Sequence, residues 1–387
     1  MNVSCLQDEL KRGVATVSRA ISSKSLIPLL SNILLTTEDG QLRLSATNLE
    51  LGITAWIAGE VSSHGAITLP AKLFGDIIGN LPNEQVTLAL DEETQTVTIT
   101  CGSFTNNMKG TAADDFPAVP VKDDRPPLVT LPTDTMRQAI NQVAFAASDD
   151  ETRQALTGVL VRINPNDSAG EPTLTLAAAD GYRLATRMVP IEEGVSADVT
   201  DIQEMIVPAR TFIELARVIG DAKGEVAIIS TKEEQQILFS TEHATIASRL
   251  LDGKFPDYQR IIPSAYATQA VVETKDFIKA VKLASFFAVE SSNFVKLTVE
   301  PGTDDEPGRV IINANAAEVG DNTGQLDAVV HGEGGQIAMN VNFLMEALNA
   351  VGTSRVKFEI QEPQNPGVFK PVGQDAYTHV IMPMTLR

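Results

Sequence analysis

Two landmark segments return three times along this chain at nearly constant spacing, and that recurrence restricts it to tandem copies of one architecture. The first landmark is a strand end running into a helix: "TLPAKLFGDIIGNL" (68–81), "IVPARTFIELARVI" (206–219) and "AMNVNFLMEALNAV" (338–351). In the first two copies, Pro-Ala and a basic residue precede a phenylalanine and further apolar residues at helical spacing. The third keeps a phenylalanine, Phe343, and has Asn340 where the proline stood. Proline at the first helical position costs no hydrogen bond, and asparagine is a good cap, so the exchange is physically readable. Pro208 follows Pro70 by 138 residues and Asn340 follows Pro208 by 132, a period close to 135.

The second landmark keeps the same step: "LQDELKRGVATVSRAI" (6–21), "PTDTMRQAINQVAFAAS" (132–148) and "ETKDFIKAVKLASFFAV" (273–289). Each carries apolar residues at i, i+3, i+4 and i+7, as in Phe277, Ala280, Val281 and Ala284, which predicts an amphipathic helix. The second and third open on Thr or Asp residues suited to capping.

Behind each of these helices come turn-punctuated strands. "ILLTTEDGQLRLSATN" (33–48), "VLVRINPNDSAGEPTLTLAAADG" (159–181) and "VKLTVEPGTDDEPGRVIINANAAE" (295–318) alternate apolar and polar residues around Asp-Gly, Asn-Asp and Pro-Gly turns. That is hairpin grammar. The expected fold class is α+β, with three topologically similar domains of two helices on antiparallel sheets. Boundaries fall in the poorly patterned "KDDRPP" (122–127) and "IPSAYATQ" (262–269), giving domains 1–124, 125–263 and 264–387. Three equal copies suit scaffolds, rings and tandem binders better than enzymes.

The chain is acidic, with 30 Lys and Arg against 50 Asp and Glu and a net charge of −20. A surface that adheres everywhere to nucleic acid is excluded. Charge is nevertheless segregated. The six predicted helices, with Lys24 just beyond the first, hold eleven basic residues and eight acidic ones, which leaves −23 for strands and loops. Two readings stay open: ordinary decoration of exposed helix faces, or a helix-lined surface that tolerates phosphates. Lys275, Lys279 and Lys282 share one helix face in either case. Cys5 and Cys101 are the only cysteines and suggest neither a disulfide framework nor a zinc site, in keeping with a reducing cytosol. The charged N-terminal segment does not read as a signal peptide, and no apolar run reaches the ~18–20 residues a bilayer requires, so a soluble intracellular protein is expected.

Motifs for catalysis are absent. His64, His243, His331 and His379 lie far apart and away from cysteine, so metal-ligand spacing is missing and no metal or cofactor is expected. Neither G-x-x-x-x-G-K-[ST] nor G-x-S-x-G occurs, and "GEGG" (332–335) reads as a turn. Trp56 is the single tryptophan, so a base-stacking platform is unsupported and any nucleic-acid contact should be to duplex backbone. One stretch still invites a chemical reading. "AAADGYRLAT" (177–186) sets Asp180, Tyr182 and Arg183 in a row, the side chains an active site uses. Asp180-Gly181 reads equally as a bend between strands, because glycine takes φ > 0 without steric cost.

Taken together, "IPLLSNILL" (27–35), "ADGYRLA" (179–185), "VPARTFIEL" (207–215), "DGKFPDYQRIIP" (252–263) and "VIMPMTLR" (380–387) resemble the bacterial DNA polymerase III beta subunits, the sliding-clamp family, over essentially the whole chain. The resemblance implies a ring of two chains, head to tail, with helices inside and sheets outside. Such a ring encircles duplex DNA without sequence preference and tethers the replicative polymerase for processivity. Implied partners are double-stranded DNA, the DNA polymerase III alpha subunit, the clamp-loader complex, and repair polymerases and mismatch-repair proteins bound through short linear motifs. No membrane partner and no enzymatic activity are expected, and the location is cytoplasmic and nucleoid-associated.

Carried over by residue, the family's DNA-facing cations fall on Lys24, Lys72, Arg153 and Arg210, to which the helix-face argument adds Lys275, Lys279 and Lys282. Arg153 follows an acidic "SDDE" (148–151). The family's peptide pocket maps to Leu156, Gly181, Tyr182, Arg183, Leu184, Pro256, Ile261, Val380, Ile381, Met382, Pro383 and Met384. Branched aliphatics and methionines make an adaptable apolar floor for several peptides. For the homodimer, Phe286 and Phe287 would meet Ile77, Leu81 and Phe104 of a second copy. Two other classes remain open on the residues: a carboxylate-dependent hydrolase on a β-rich scaffold, and a tandem β-rich binding protein without ring closure.

Overall fold

The structure is a computed structural model that describes residues 1–22, 27–192, 195–197, 199–231, 235–289 and 292–384. The predicted repeat is present in the element order. Each third of the chain runs strand, helix, three antiparallel strands, strand, helix, three strands, with one additional short strand, Glu60–Ser63, in the first. The helices are α1 (Gln7–Val17), α2 (Ala71–Asn80), α3 (Thr133–Val143), α4 (Ala209–Ile219), α5 (Thr274–Ala288) and α6 (Val341–Ala350).

These elements pack as two compact units. The first comprises Met1–Arg137, Ile191–Val199 and Glu214–Leu250, and the second Gln138–Pro190, Thr200–Ile213 and Leu251–Arg387. The central third is thus divided between them, for a reason visible in the sheets. In the first unit an eight-stranded sheet is made of four strands from the first third and four from the central third, joined where Ala244–Arg249 pairs antiparallel with Leu51–Ala58. In the second unit the same junction recurs. Arg183–Pro190 of the central third pairs with Tyr377–Ile381 of the last third, inside a twelve-stranded sheet. A separate five-stranded sheet of the first unit ends on the strand Phe104–Lys109.

Helix faces explain the cores. In α5 the expected Phe277, Ala280, Val281 and Ala284 are buried, and Phe277 meets Phe358 edge-on at 6.4 Å. Phe74 of α2 and Phe212 of α4, each four residues after its proline, are fully buried. In the third copy the position four after Asn340 is Leu344, which is buried, while Phe343 one residue earlier is only half-buried. The recurring phenylalanine is therefore not equivalent in the third copy, because a shift of one residue turns it about 100° around the helix.

Capping also departs from the sequence reading. Pro70 is the residue before α2, not its first residue, and Pro208 likewise precedes α4. Asn340 does cap α6, its Oδ1 accepting from the Asn342 amide at 2.9 Å. Thr133 instead donates its hydroxyl to the Ala222 carbonyl at 2.7 Å, and the cap of α5 is Glu273 without a side-chain bond.

Phe212→Ala is expected to lower unfolding free energy by about 3–5 kcal/mol, whereas Phe343→Ala, at a half-buried site, should cost less. Denaturant titration of both variants checks this, and equal costs would contradict the register assigned to the third copy.

Candidate partner groove and cationic helix faces

Asp180 turns out to be occupied by the backbone of its own corner. Its Oδ1 accepts from the Tyr182 and Arg183 amides at 2.8 and 2.9 Å, and Gly181 takes φ 93°. The other oxygen, Oδ2, accepts from Arg183 Nε at 3.0 Å. With both oxygens engaged, the carboxylate builds a turn, and the reading of this stretch as an active site loses its acid. Among the described residues no cluster of three or more His, Cys, Asp or Glu side chains is placed to hold a metal.

Past this corner the strand Arg183–Pro190 alternates its faces, as every strand does. Leu184 joins an apolar cluster with Leu160, Ala177, Ala179, Ile206, Phe255, Tyr258, Val368 and Val380. Ala155, Leu156, Leu251 and Ile262 pack against it. Around this cluster stand exposed apolar residues. Tyr182 is 64% exposed, and Ile261 and Met382 are each 39% exposed. The tail is held in place by main-chain bonds, Met382 N–H to the Tyr182 carbonyl at 2.8 Å and Met384 N–H to the Ala338 carbonyl at 2.9 Å. Gly181 and Pro256 are exposed, and Pro383 and Met384 half-buried. An apolar floor with exposed aromatic and methionine walls can take up the apolar side chains of a short peptide.

Two predicted pocket residues face the other way. Arg183 pairs with Ile381 across the sheet, and alternation sends both to the face opposite Leu184 and Val380. Ile381 is fully buried, and Arg183 lies between the rings of Phe145 and Phe343, 5.4 and 4.5 Å from their centroids. Its guanidinium donates to the Phe145 carbonyl at 2.8 Å and forms an ion pair with Glu346 of α6. Beside it His379 is fully buried, stacked on Phe145 at 5.6 Å, with Nδ1 3.4 Å from the Tyr377 hydroxyl. Burial, reinforced by the Arg183 charge, pushes the His379 imidazole down to about 3. Burial raises the Tyr377 phenol far above its ordinary range.

Arg153 stands at the same corner. Its Nη1 lies 2.8 Å from where a Cβ on Gly181 would stand, and its Nε donates to Asp150 at 3.1 Å. Asp150 of the acidic "SDDE" run thus holds Arg153 beside the groove corner. Phe255, Tyr258, Leu251, Ile262 and Ala155 complete the floor, beyond the residues that the family resemblance implies. The signal for the first two was present in "DGKFPDYQRIIP", where the exposed Pro256 drew the assignment.

The helix cations divide into two sets. Arg12 pairs with Asp8 and Glu9, Arg137 with Asp134 and Asp221, and Arg19 and Arg217 with Glu214. Lys72, Lys275, Lys279 and Lys282 are exposed and make no ion pair among the described residues; Arg210 is exposed on α4. Lys24 lies outside the described residues, as do Thr385, Leu386 and Arg387. Of the expected dimer residues, Phe286 and Phe104 are 64% and 56% exposed, while Phe287, Ile77 and Leu81 are half-buried. A cavity of about 860 Å³ in the first unit, beside Trp56, Lys122, Lys223 and His243, includes none of the predicted site residues.

Three copies of one helix-pair and antiparallel-sheet plan, joined edge to edge and carrying an apolar groove, define a DNA-clamp fold. Family models agree along the chain: DNA polymerase III beta subunit N-terminal domain over residues 1–120, central domain over 130–257 and C-terminal domain over 259–385. A beta sliding clamp of Synechocystis sp. is 33% identical with both chains fully covered, and one of Staphylococcus aureus is 30% identical with 95% of this chain and 94% of that one covered. Among solved structures, the DNA polymerase sliding clamp of Bacillus subtilis superposes with TM-score 0.90 at 26% identity, and the DNA polymerase III subunit beta of Pseudomonas aeruginosa with 0.87 at 27%, each over the whole of both chains. The chain belongs to the DNA polymerase III beta subunit family.

The depressed His379 value has a pH signature. Because the unfolded imidazole titrates near 6.5 and the folded one near 3, its neutral state favours folding above pH 6.5, and that stability is lost as pH falls from about 6.5 toward 3. His379→Gln should flatten this limb of a stability-against-pH curve measured by urea unfolding. An unchanged slope would contradict the assignment.

Proposed function

We propose that this chain is a sliding clamp, in which two copies close head to tail around duplex DNA and tether the replicative polymerase, and whose groove also receives clamp-loader and repair proteins through short peptide segments. The domains are 1–124, 125–263 and 264–387, which the three matched family spans support. The role is binding, without catalysis, in the cytoplasm on the nucleoid. No described helix is long and apolar enough to cross a membrane.

One observation carries this reading. At two junctions, the last strand of one third pairs with a strand of the third before it: Ala244–Arg249 with Leu51–Ala58, and Tyr377–Ile381 with Arg183–Pro190. The remaining members of this set are Phe104–Lys109, at the end of its sheet, and Gly320–His331, which pairs with Thr268–Glu273 only through Val329, Val330 and His331. Each presents an unpaired row of backbone donors and acceptors. Phe104 and Phe286 stand exposed on the same two thirds, and Phe287 lies near Gly320. A second copy supplies both missing partners at once, and doing so twice closes the ring. Ile77, Leu81, Phe104, Phe286 and Phe287 then form the apolar contact.

Within the ring, Lys72, Arg210, Lys275, Lys279 and Lys282 face the duplex, and Lys24, outside the described residues, is assigned the same role. Contacts of flexible cations to phosphates hold without reading sequence, and the acidic remainder repels DNA from other surfaces. Arg153 is assigned to the groove corner.

Loaded on nicked circular duplex DNA, the protein should stay bound and be released when the circle is cut to a linear molecule. Gel filtration of labelled DNA before and after cutting measures this. Equal retention on linear DNA would overturn the topological reading.

A further inference from the structure

We propose that Arg183 is a positioning residue for the partner groove, acting from behind its wall through the corner at Asp180, and that Glu346 of α6 is required for it to do so. The inference rests on the groove reading above. Its starting point is placement. The Arg183 side chain is 9% exposed, on the sheet face away from the groove, so a bound peptide reaches its backbone and not its guanidinium.

Each of the three nitrogens of that guanidinium donates a hydrogen bond. Nε goes to Asp180 at 3.0 Å, Nη2 to the Phe145 carbonyl at 2.8 Å, and Nη1 to the Glu346 carboxylate, with Phe145 and Phe343 on its faces. A planar, forked cation held this way has one position, which a lysine could not reproduce. What it fixes is the corner. Asp180, clamped by Arg183 Nε, orients the amides of Tyr182 and Arg183, and the Tyr182 carbonyl accepts from Met382. Moving the corner therefore moves both groove walls, the tyrosine and the methionine-bearing tail.

The first third of the chain provides an internal comparison. There Asn48 makes the same turn, its Oδ1 accepting from the Glu50 and Leu51 amides at 3.1 and 2.8 Å, with Leu49 in the positive-φ place of Gly181. The residue three after Asn48, equivalent to Arg183, is the buried Leu51. Such a turn and junction strand thus form without an arginine. The charge is present only where the groove is, and it ties the groove wall to α6 by a carboxylate that is 46% exposed. A group needed solely for folding would not require that reach.

The test uses two blocked peptides carrying two leucines and a phenylalanine, one uncharged and one with an added aspartate, titrated against the full-length protein by fluorescence anisotropy. Tyr182→Ala is the groove control and should weaken both. Glu346→Gln should weaken both peptides by the same factor, roughly threefold to tenfold, with its melting temperature unchanged. Arg183→Met should weaken them by about tenfold or more, and Arg183→Lys should not restore binding. Wild-type affinity in the Glu346 and Arg183 variants, with Tyr182→Ala impaired, overturns the positioning role and leaves the groove standing. A loss confined to the aspartate peptide overturns it too, since that is direct contact. Unchanged binding in Tyr182→Ala overturns the groove reading and this inference together.

Discussion

Antiparallel pairing of strand edges between neighbouring repeats is the interaction on which the rest of this molecule depends. An unpaired sheet edge is a row of unsatisfied backbone groups, and each repeat brings two junction strands whose free edges must be placed. The chain resolves four of its six junction edges internally, by joining 244–249 to 51–58 and 377–381 to 183–190. This division explains why the compact units do not coincide with the repeats. It also explains why the groove lies where it does, since the second junction brings the 180–183 corner beside the tail at 380–384. Function on this account is a property of junctions more than of individual domains.

The second junction differs from the first in its polar interior. Arg183, His379 and Tyr377 lie on the face away from the groove, with Phe145 and Phe343 packed among them. A buried guanidinium is tolerated because two carboxylates and a carbonyl satisfy it, whereas His379 keeps Nε2 without a hydrogen-bond partner and stays neutral. Gly181 completes the corner. Its φ of 93° disfavours a side chain, and a Cβ there would meet the Arg153 guanidinium.

Much of this was legible in the sequence. The helices were, because their apolar faces have a strong period, and so was the threefold plan, because landmarks recur in order. The groove floor was half legible. Leu184 and Val380 face it, but Arg183 and Ile381 do not, and the register that decides this is set by partners some 200 residues away. Phe343 misled for a related reason, since an offset of one residue exchanges a buried helix position for a half-buried one. Arg153 could not be placed from charge alone, because its ion pair with Asp150 and its approach to Gly181 arise only in the folded loop. Which edges remain unpaired is a property of the whole sheet topology, and no local pattern encodes it.

The central claim is that the two remaining edges, 104–109 and the first part of 320–331, are completed by a second copy. Native mass measured at micromolar concentration tests it most directly. The account predicts a single species at twice the 41.4 kDa chain mass, reverting toward one chain when Phe104 and Phe286 are both replaced by aspartate. A wild-type protein of 41.4 kDa under those conditions would contradict it.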